Sequence, residues 1–407
     1  MKRLYANYVD SFKGLVPEIW ILSFVTFINR AGAMVIPFLS IYLVSDKGFS
    51  LPQVGMIMTC YGVGSLLGNY VGGLLTDIIG FYKTIVLSLF FGGLGFIALQ
   101  YIETYLAMCI GVFILMFAVD VYRPGIFVAA GTYGNEKDTT RNIGLIRLAI
   151  NLGFSIGPVI GGFLIAKVSY NSIFWVDGIT CIMASLFLLV ALKPKKTIQK
   201  KEKPVVNKEG VKPYRNSLYL LFIIIMVINS FVFIQYFSSV PLYYSEYHKL
   251  SADVIGWLFF LNGALIVILE MPLITWLERR SLSKTMATFW GVILLALSFI
   301  ALTISDWFGV LIIGMILMTL GEMIGSPFSS ALAYEMSPIG RKGSYMGLYS
   351  MSFSLSHIIG HNAVLNSINV FGYNTTWILL FAVLLFAGLL TLYLMKRLKN
   401  SSTHNSY

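Results

Sequence analysis

The residues best suited to chemistry in this chain are charged side chains inside apolar segments. Arg30 is the single charge in FVTFINRAGAMVIPFLSIYL, residues 24–43. Asp120 and Arg123 lie three residues apart in the apolar segment MFAVDVYRPGIFVAAG, so they share a face of a helix. An arginine does not lose its proton, and a charge in hydrocarbon costs about 3 kcal/mol or more. We therefore expect Arg30 to face a buried carboxylate.

Two further carboxylates lie in apolar segments of the second half, Glu322 in MTLGEMIGSPF and Glu270 in VILEMPL. Burial raises the pKa of a carboxyl group and a nearby arginine lowers it again. A group balanced between these effects binds and releases a proton near neutral pH. Glu322, near the middle of its segment, is the first candidate for a proton carrier, and Glu270, nearer a helix end, is the second.

Helices long enough to cross a bilayer must position these charges. The chain has 407 residues, of which 57% are hydrophobic and 12% charged, whereas a soluble domain has about 25% charged residues. A spanning helix needs about 20 apolar residues. Twelve such runs, called spans 1 to 12, lie at 18–44, 52–75, 84–102, 105–131, 143–167, 172–192, 217–244, 254–277, 286–304, 308–334, 344–368 and 375–395.

The positive charge of the chain is concentrated between the spans. With the N-terminus inside, the inner segments, together with Arg147 near the inner end of span 5, hold 24 of the 29 Lys and Arg residues, which predicts cytoplasmic termini. The net charge of +11 therefore indicates an oriented membrane protein and not a nucleic-acid binder. The basic stretch 193–216 separates spans 6 and 7 and is predicted to be a cytoplasmic linker.

The two halves of the chain repeat each other. Residues 54–85 align without a gap with 255–286, so that Asp77 falls on Glu278 and Lys83 on Lys284. A second block aligns 203 positions apart. Parallel six-helix repeats build transporters whose substrate site lies between the halves near the midplane of the membrane. The predicted domains are an N-terminal six-helix bundle (1–192), the linker (193–216) and a C-terminal six-helix bundle (217–407).

The loop after span 2 reads GLLTDIIGFYK, with Gly73, Asp77, Gly80 and Lys83 at fixed spacing. Gly80 permits a tight turn. Asp77 can accept hydrogen bonds from the free N–H groups at the start of span 3. This G-x-L-x-D-x-x-G-x-x-K pattern resembles the helix 2–3 signature of the major facilitator superfamily, a cytoplasmic gating motif.

The segment LGFSIGPVIGGF of span 5 places Gly153, Gly157 and Gly161 on one face. Such a face lets a neighbouring helix approach closely. Together with Pro158 and Gly162, it resembles the complete helix 5 signature of the drug:proton antiporter branch of the superfamily. The resemblance implies export.

The superfamily resemblance covers the chain from span 1 to span 12 and implies that spans 1, 4, 7 and 10 line a central cavity. Arg123 is similar to an arginine that this family often places in helix 4, and Arg30 would pair with Asp120 or Glu322. The polar residues expected to contact substrate in the cavity are Asn29, Tyr61, Asn151, Gln235, Asn262, His357 and His361.

Two histidines, His357 and His361, are four residues apart in span 11. That spacing can hold a metal, but two histidines without a nearby acid are a weak metal signal. We expect no metal site. A polar patch that lines the cavity is the first interpretation, and a role for the histidines in binding protons or substrate is the second.

These observations predict an all-α integral membrane protein with twelve transmembrane helices in two pseudo-symmetric six-helix bundles, the major facilitator fold. The predicted function is proton-coupled multidrug efflux by alternating access in a bacterial inner membrane. The predicted partners are small molecules, protons and lipid, with no cofactor and no nucleic acid, and the predicted state is a monomer. The chain lacks a Walker loop, which disfavours ATP as the energy source, and an enzyme is not expected.

Two alternatives remain open. One is proton-coupled uptake of peptides or another small nutrient. Peptide symporters of the superfamily carry an arginine beside glutamates in helix 1, whereas this chain has Thr26 and Asn29 beside Arg30. The other is a receptor or scaffold built on a transporter fold, which does not need the intramembrane charges that this chain has.

Overall fold

A computed structural model describes residues 8, 10, 12–32, 34–133, 138–194, 211–250 and 252–404. Side chains at 37, 51, 52, 252, 253, 357, 361, 362 and 401–404 lie outside this description, among them those of His357 and His361. The described residues form helices and no strand. The α-helices are Pro17–Ala31, Val35–Ser45, Leu51–Ile78, Phe81–Leu99, Tyr105–Asp120, Tyr122–Tyr133, Thr139–Lys167, Tyr170–Ala191, Ser217–Phe233, Ser239–Glu246, Ala252–Arg279, Lys284–Ala301, Phe308–Glu335 and Lys342–His404.

Every predicted span falls on helix, which confirms the all-helical membrane fold class. Within the described residues, ten helices are long and apolar enough to cross a membrane. Spans 11 and 12 lie on either side of Gly372, whose φ of 77° interrupts the helical backbone of Lys342–His404. Span 1 does not appear among the ten because it consists of two shorter helices, Pro17–Ala31 and Val35–Ser45.

The described chain divides into two compact units. The N-unit comprises Gly14–Val211 and Ser337–Ser354, and the C-unit comprises Met1–Lys13, Lys212–Met336 and Leu355–Tyr407. The beginning of span 11 therefore belongs to the N-unit, although the rest of that span belongs to the C-unit.

Backbone contacts pack spans 2 and 4 together in the N-unit. A Cβ atom on Gly64, Gly68 or Gly72 would lie within 2.4 to 2.5 Å of a carbonyl oxygen on span 4. Close approach of this kind replaces the hydrophobic driving force that lipid does not provide. The oxygens belong to Phe113, Phe117 and Val121.

The internal repeat is visible in the backbone. Gly80 adopts a φ of 88° in the turn after span 2, which confirms the predicted tight turn, and the repeat-related Ser281 also has a positive φ, of 54°. The first span of each half is interrupted. Span 1 breaks between Ala31 and Val35, and span 7 breaks at the 3₁₀ turn Ile234–Phe237. Hydropathy does not reveal these interruptions, because it measures the length of an apolar run and not the continuity of its hydrogen bonds.

Candidate functional site

A cluster of buried charges lies in the N-unit beside the break of span 1. Arg30 occupies the last turn of Pro17–Ala31 and is only 6% exposed. In the described part of the chain, its Nε–H has no hydrogen-bond acceptor. Its guanidinium carbon lies 5.4 Å from the centre of the Phe154 ring, where the aromatic face attracts the cation.

Span 4 brings the other two charges of the cluster. Arg123 Nε lies 3.8 Å from Asp120 Oδ1, which confirms that the two side chains share a face. Both lie within electrostatic range of Arg30, as does the hydroxyl of Tyr61. Asp120 is therefore the carboxylate that the N-unit places near Arg30. We call Arg30, Asp120 and Arg123 the N-unit charge cluster.

Polar side chains around the cluster bond to one another. Thr26 donates to the Leu22 carbonyl, so the Tyr122 hydroxyl, 2.7 Å away, donates to Thr26. The Asn29 amide donates to Cys181 Sγ over 3.2 Å. These contacts join span 1 to spans 4 and 6 and hold the helix turn that carries Arg30 in place against them.

The glycine face of span 5 packs on the break of span 1. A Cβ on Gly153 would lie 2.5 Å from Arg30 Cβ, and one on Gly157 would lie 3.1 Å from the Ala31 carbonyl oxygen. A Cβ on Gly161 would lie 3.0 Å from Met34 Cβ. The predicted close approach of a neighbouring helix is confirmed, and its partner is the segment that carries Arg30. Pro158 lies inside the helix Thr139–Lys167, beside this face.

Asp177 of span 6 is a buried residue that the sequence analysis did not single out. Its Oδ1 accepts from the backbone N–H of Met34 at 2.9 Å, and its Oδ2 accepts from that of Val35 at 2.7 Å. The residue is fully buried. It thus caps the N-terminus of Val35–Ser45 from another helix, satisfying N–H groups that a helix start leaves free. A lone acid within an apolar run was the signal that could have revealed it.

The C-unit carries Glu322 in a small cavity. The polar side chains in its wall are Asn229, Thr288, Glu322, Ser326 and Ser329. Ser326 falls at the position that the repeat relates to Arg123, so this wall has a hydroxyl where span 4 has a guanidinium. Glu270 is fully buried in span 8 and is not part of this wall.

The remaining predicted cavity residues have varied surroundings. Asn262 donates to Thr319 over 3.0 Å, joining span 8 to span 10. Gln235 lies in the break of span 7, where its Oε1 accepts from Ser239 at 2.8 Å. Asn151 Nδ2 is buried without an acceptor among the described residues.

The gating motif makes a different contact from the one predicted. Asp77 accepts from the backbone N–H of Gly343 at 2.6 Å and of Ser344 at 2.8 Å, and also from the Ser344 hydroxyl. These N–H groups begin span 11, so assigning Asp77 to the start of span 3 was wrong. The reason is that the motif packs directly against span 11. A Cβ atom on Gly73 would lie 2.5 Å from the Gly343 carbonyl oxygen.

The basic residues of the motif and its repeat lie at the surface. Lys83 is exposed. Lys284, in the repeat-related position, forms an ion pair with Glu335 at the end of span 10. Glu278, the counterpart of Asp77, lies near the end of Ala252–Arg279.

Replacing Asp77 tests the contact with span 11. Asp77→Ala removes the acceptor of two backbone N–H groups, each of which costs about 1 to 3 kcal/mol when buried and unpaired. We expect a lower thermal unfolding midpoint in detergent and a loss of transport. The exposed Glu103→Gln is the matched control. An unfolding midpoint and transport equal to those of the wild type would show that the hydrogen bonds do not hold span 11.

The fold and these buried charges define a membrane protein of the transporter class. The sequence profile of the Major Facilitator Superfamily matches residues 19–361 and 241–406. The chain belongs to this superfamily, whose members are transporters and not enzymes.

The similar proteins include one that is uncharacterized and two whose names state different functions. The uncharacterized MFS-type transporter YttB of Bacillus subtilis is 25% identical over 93% of this chain and 95% of the relative. A Na(+), Li(+), K(+)/H(+) antiporter of Planococcus maritimus is 22% identical over 88% of this chain and 91% of the relative. The quinolone resistance protein NorA of Staphylococcus aureus is 24% identical over 53% of this chain and 56% of the relative.

Solved structures show the same fold. The human organic anion transporter MFSD10 matches 93% of this chain and 100% of its own with a TM-score of 0.75 at 15% identity. A bacterial homologue of the iron transporter ferroportin, in an outward-facing state, matches 94% of this chain and 100% of its own with a TM-score of 0.74 at 14% identity. At these identities the likeness concerns the fold alone.

Proposed function

We propose that the protein is a secondary active transporter that exports drug-like or amphipathic small molecules in exchange for protons by alternating access. It acts as a monomer in the bacterial inner membrane, with both termini in the cytoplasm and with bundles 1–192 and 217–407 joined by the linker 193–216. The observation that carries the proposal is the packing of the span 5 glycine face on the segment that bears Arg30. The export-associated motif and the buried charges thus form one structural element.

Two relatives support the direction and the coupling. The Planococcus maritimus relative is named an antiporter that exchanges cations for protons, and the Staphylococcus aureus relative is named for quinolone resistance. Exchange for protons and resistance to a drug are the two components of the proposed activity.

The proposed coupling uses one carboxylate in each half. Glu322 binds and releases the transported proton in its cavity, while Asp120 partly neutralises the guanidinium groups of Arg30 and Arg123. Each proton that crosses a potential of 100 mV supplies about 2.3 kcal/mol, which can move a solute against its gradient. A switch of this kind needs a bistable element that a proton biases.

Flux in vesicles of known orientation, with an imposed pH gradient, tests the proposal. The probes are a lipophilic cation, a neutral drug and a dipeptide. Export predicts that a drug-like probe moves against the proton flow and that Glu322→Gln abolishes this exchange. Asp120→Asn and Arg30→Ala are expected to reduce it. The exposed Glu103→Gln, in the loop between spans 3 and 4, is the control.

Other outcomes would identify the alternatives. Dipeptide that moves with the protons would replace export by nutrient uptake, with Arg30 as the residue that binds the peptide carboxylate. Binding of a ligand without flux of any probe would identify a receptor on a transporter fold.

A further inference from the structure

The N-unit charge cluster has more positive than negative charge. It contains two guanidinium groups, Arg30 and Arg123, and one carboxylate, Asp120, within electrostatic range of one another. Asp177, the buried acid that holds the break of span 1, is not among the groups within electrostatic range of Arg30. The cluster thus carries one uncompensated cation.

The geometry of Arg30 shows where an anion would bind. The residue is 6% exposed, and its buried Nε–H has no acceptor among the described residues. A guanidinium presents its N–H groups as a planar fork that matches the two oxygens of a carboxylate. An unpaired donor of a buried charge is costly in a membrane protein, so an oxyanion that accepts from it gains more here than in water.

Aromatic side chains lie near Arg30 beside the charges of the cluster. The Phe154 ring lies under the guanidinium, and the Tyr61 ring comes from span 2. Mostly apolar walls with a few fixed polar groups are typical of sites for small organic ligands. An apolar body attached to an anionic group fits these surroundings, whereas a cationic group would meet the excess positive charge.

We propose that the N-unit charge cluster binds the monoanionic carboxylate group of an amphipathic substrate, with Arg30 as the principal donor. This inference rests on the proposed function for its transport step. The binding step can be measured separately. Asp120 limits the strength of the interaction by partly neutralising the two arginines.

Three probes with the same ring system but different charges show which charge the site prefers. They are 2-naphthoate, its neutral methyl ester and the cationic (2-naphthylmethyl)trimethylammonium. Binding to the purified full chain is measured by equilibrium dialysis in neutral detergent. We expect 2-naphthoate to bind about tenfold more tightly than the ester, and the cation to bind weakest, from the Coulomb energy of one excess charge. Added phosphatidylglycerol distinguishes substrate from a lipid headgroup, since competition by the lipid would assign the site to the headgroup and overturn the proposal.

The variants separate recognition from structural support. Arg30→Gln should weaken 2-naphthoate binding about tenfold or more, while Arg280→Gln, an exposed arginine stacked on Trp276, should not. Asp120→Asn should strengthen 2-naphthoate binding several-fold because it removes the competing negative charge. A merely structural role of Asp120 predicts the opposite sign. If Arg30→Gln does not fold, Arg30→Lys, which keeps the charge but not the planar fork, should weaken 2-naphthoate binding by a smaller factor, and Asp120→Asn should still strengthen it.

The results also distinguish this inference from the proposed function. Equal affinity for the three probes, no binding of any of them, or preference for the cation together with its loss in Asp120→Asn would overturn anion binding. Export of a cation against a proton gradient would then still support the proposed function. Arginine-dependent binding of 2-naphthoate without any proton-driven flux would support the inference and contradict export.

Discussion

Asp177→Ala is expected to remove most of the folded, transport-competent protein. The substitution deprives two fully buried backbone N–H groups, those of Met34 and Val35, of their acceptors. Each such group costs about 1 to 3 kcal/mol, and hydrocarbon offers no water as a substitute. The loss is comparable with the marginal stability of a domain. Yield after purification and thermal unfolding in detergent measure it.

Two further variants sharpen this test. Asp177→Asn keeps the size of the side chain and one acceptor oxygen, so its stability should lie between that of Asp177→Ala and that of the wild type. Asp46→Ala is the control. Asp46 follows the C-terminal end of the helix Val35–Ser45, where the helix leaves carbonyl groups free and not N–H groups, so an acid there accepts no hydrogen bond that holds the helix. Wild-type yield and unfolding of Asp177→Ala would contradict the capping role.

Substitution of Gly153 should have the second large effect. In Gly153→Ala the new methyl group would lie 2.5 Å from Arg30 Cβ and 2.9 Å from the Ala31 nitrogen. These atoms belong to or adjoin the backbone, so a change of rotamer cannot relieve the contact and the helices must separate. Overpacking of this kind costs about 1 to 3 kcal/mol. We expect lower thermal stability and slower transport.

A matched control lies in the same motif. In Gly162→Ala the methyl group would lie 3.6 Å from the edge of the Phe38 ring, an ordinary van der Waals distance. This variant should unfold and transport as the wild type does. If Gly153→Ala and Gly162→Ala behave alike, the glycine face does not act through its contact with Arg30.

The sequence predicts features that depend on periodicity along one helix. Hydropathy located every span, and i, i+3 and i, i+4 spacing placed Asp120 beside Arg123 and gathered the glycines of span 5 on one face. The roles of these residues in proton coupling and substrate binding stay predictions.

Contacts between distant segments could not be read from spacing. A motif indicates which face of a helix is apolar or lined by small residues, but it does not identify the helix that packs against that face. Asp77 was therefore assigned to the helix start that follows it in sequence, whereas its observed partner, Gly343, lies 266 residues later. Asp177 was missed for the same reason, because its two partners lie 143 and 142 residues earlier in the chain.

Different hydrogen bonds lie at the interruptions of spans 1 and 7. In span 7 the acceptor at the break, Gln235, belongs to the broken segment itself and bonds the nearby Ser239. In span 1 the acceptor is Asp177, which belongs to span 6. A change in the angle between Pro17–Ala31 and Val35–Ser45 must therefore move span 6 as well or break two hydrogen bonds. Bending of span 7 at its 3₁₀ turn would instead disturb the hydrogen bond from the Tyr236 hydroxyl to the Gly314 carbonyl of span 10. The two halves repeat one plan, but the break in the first span of each half is tied to a different partner, span 6 in one half and span 10 in the other.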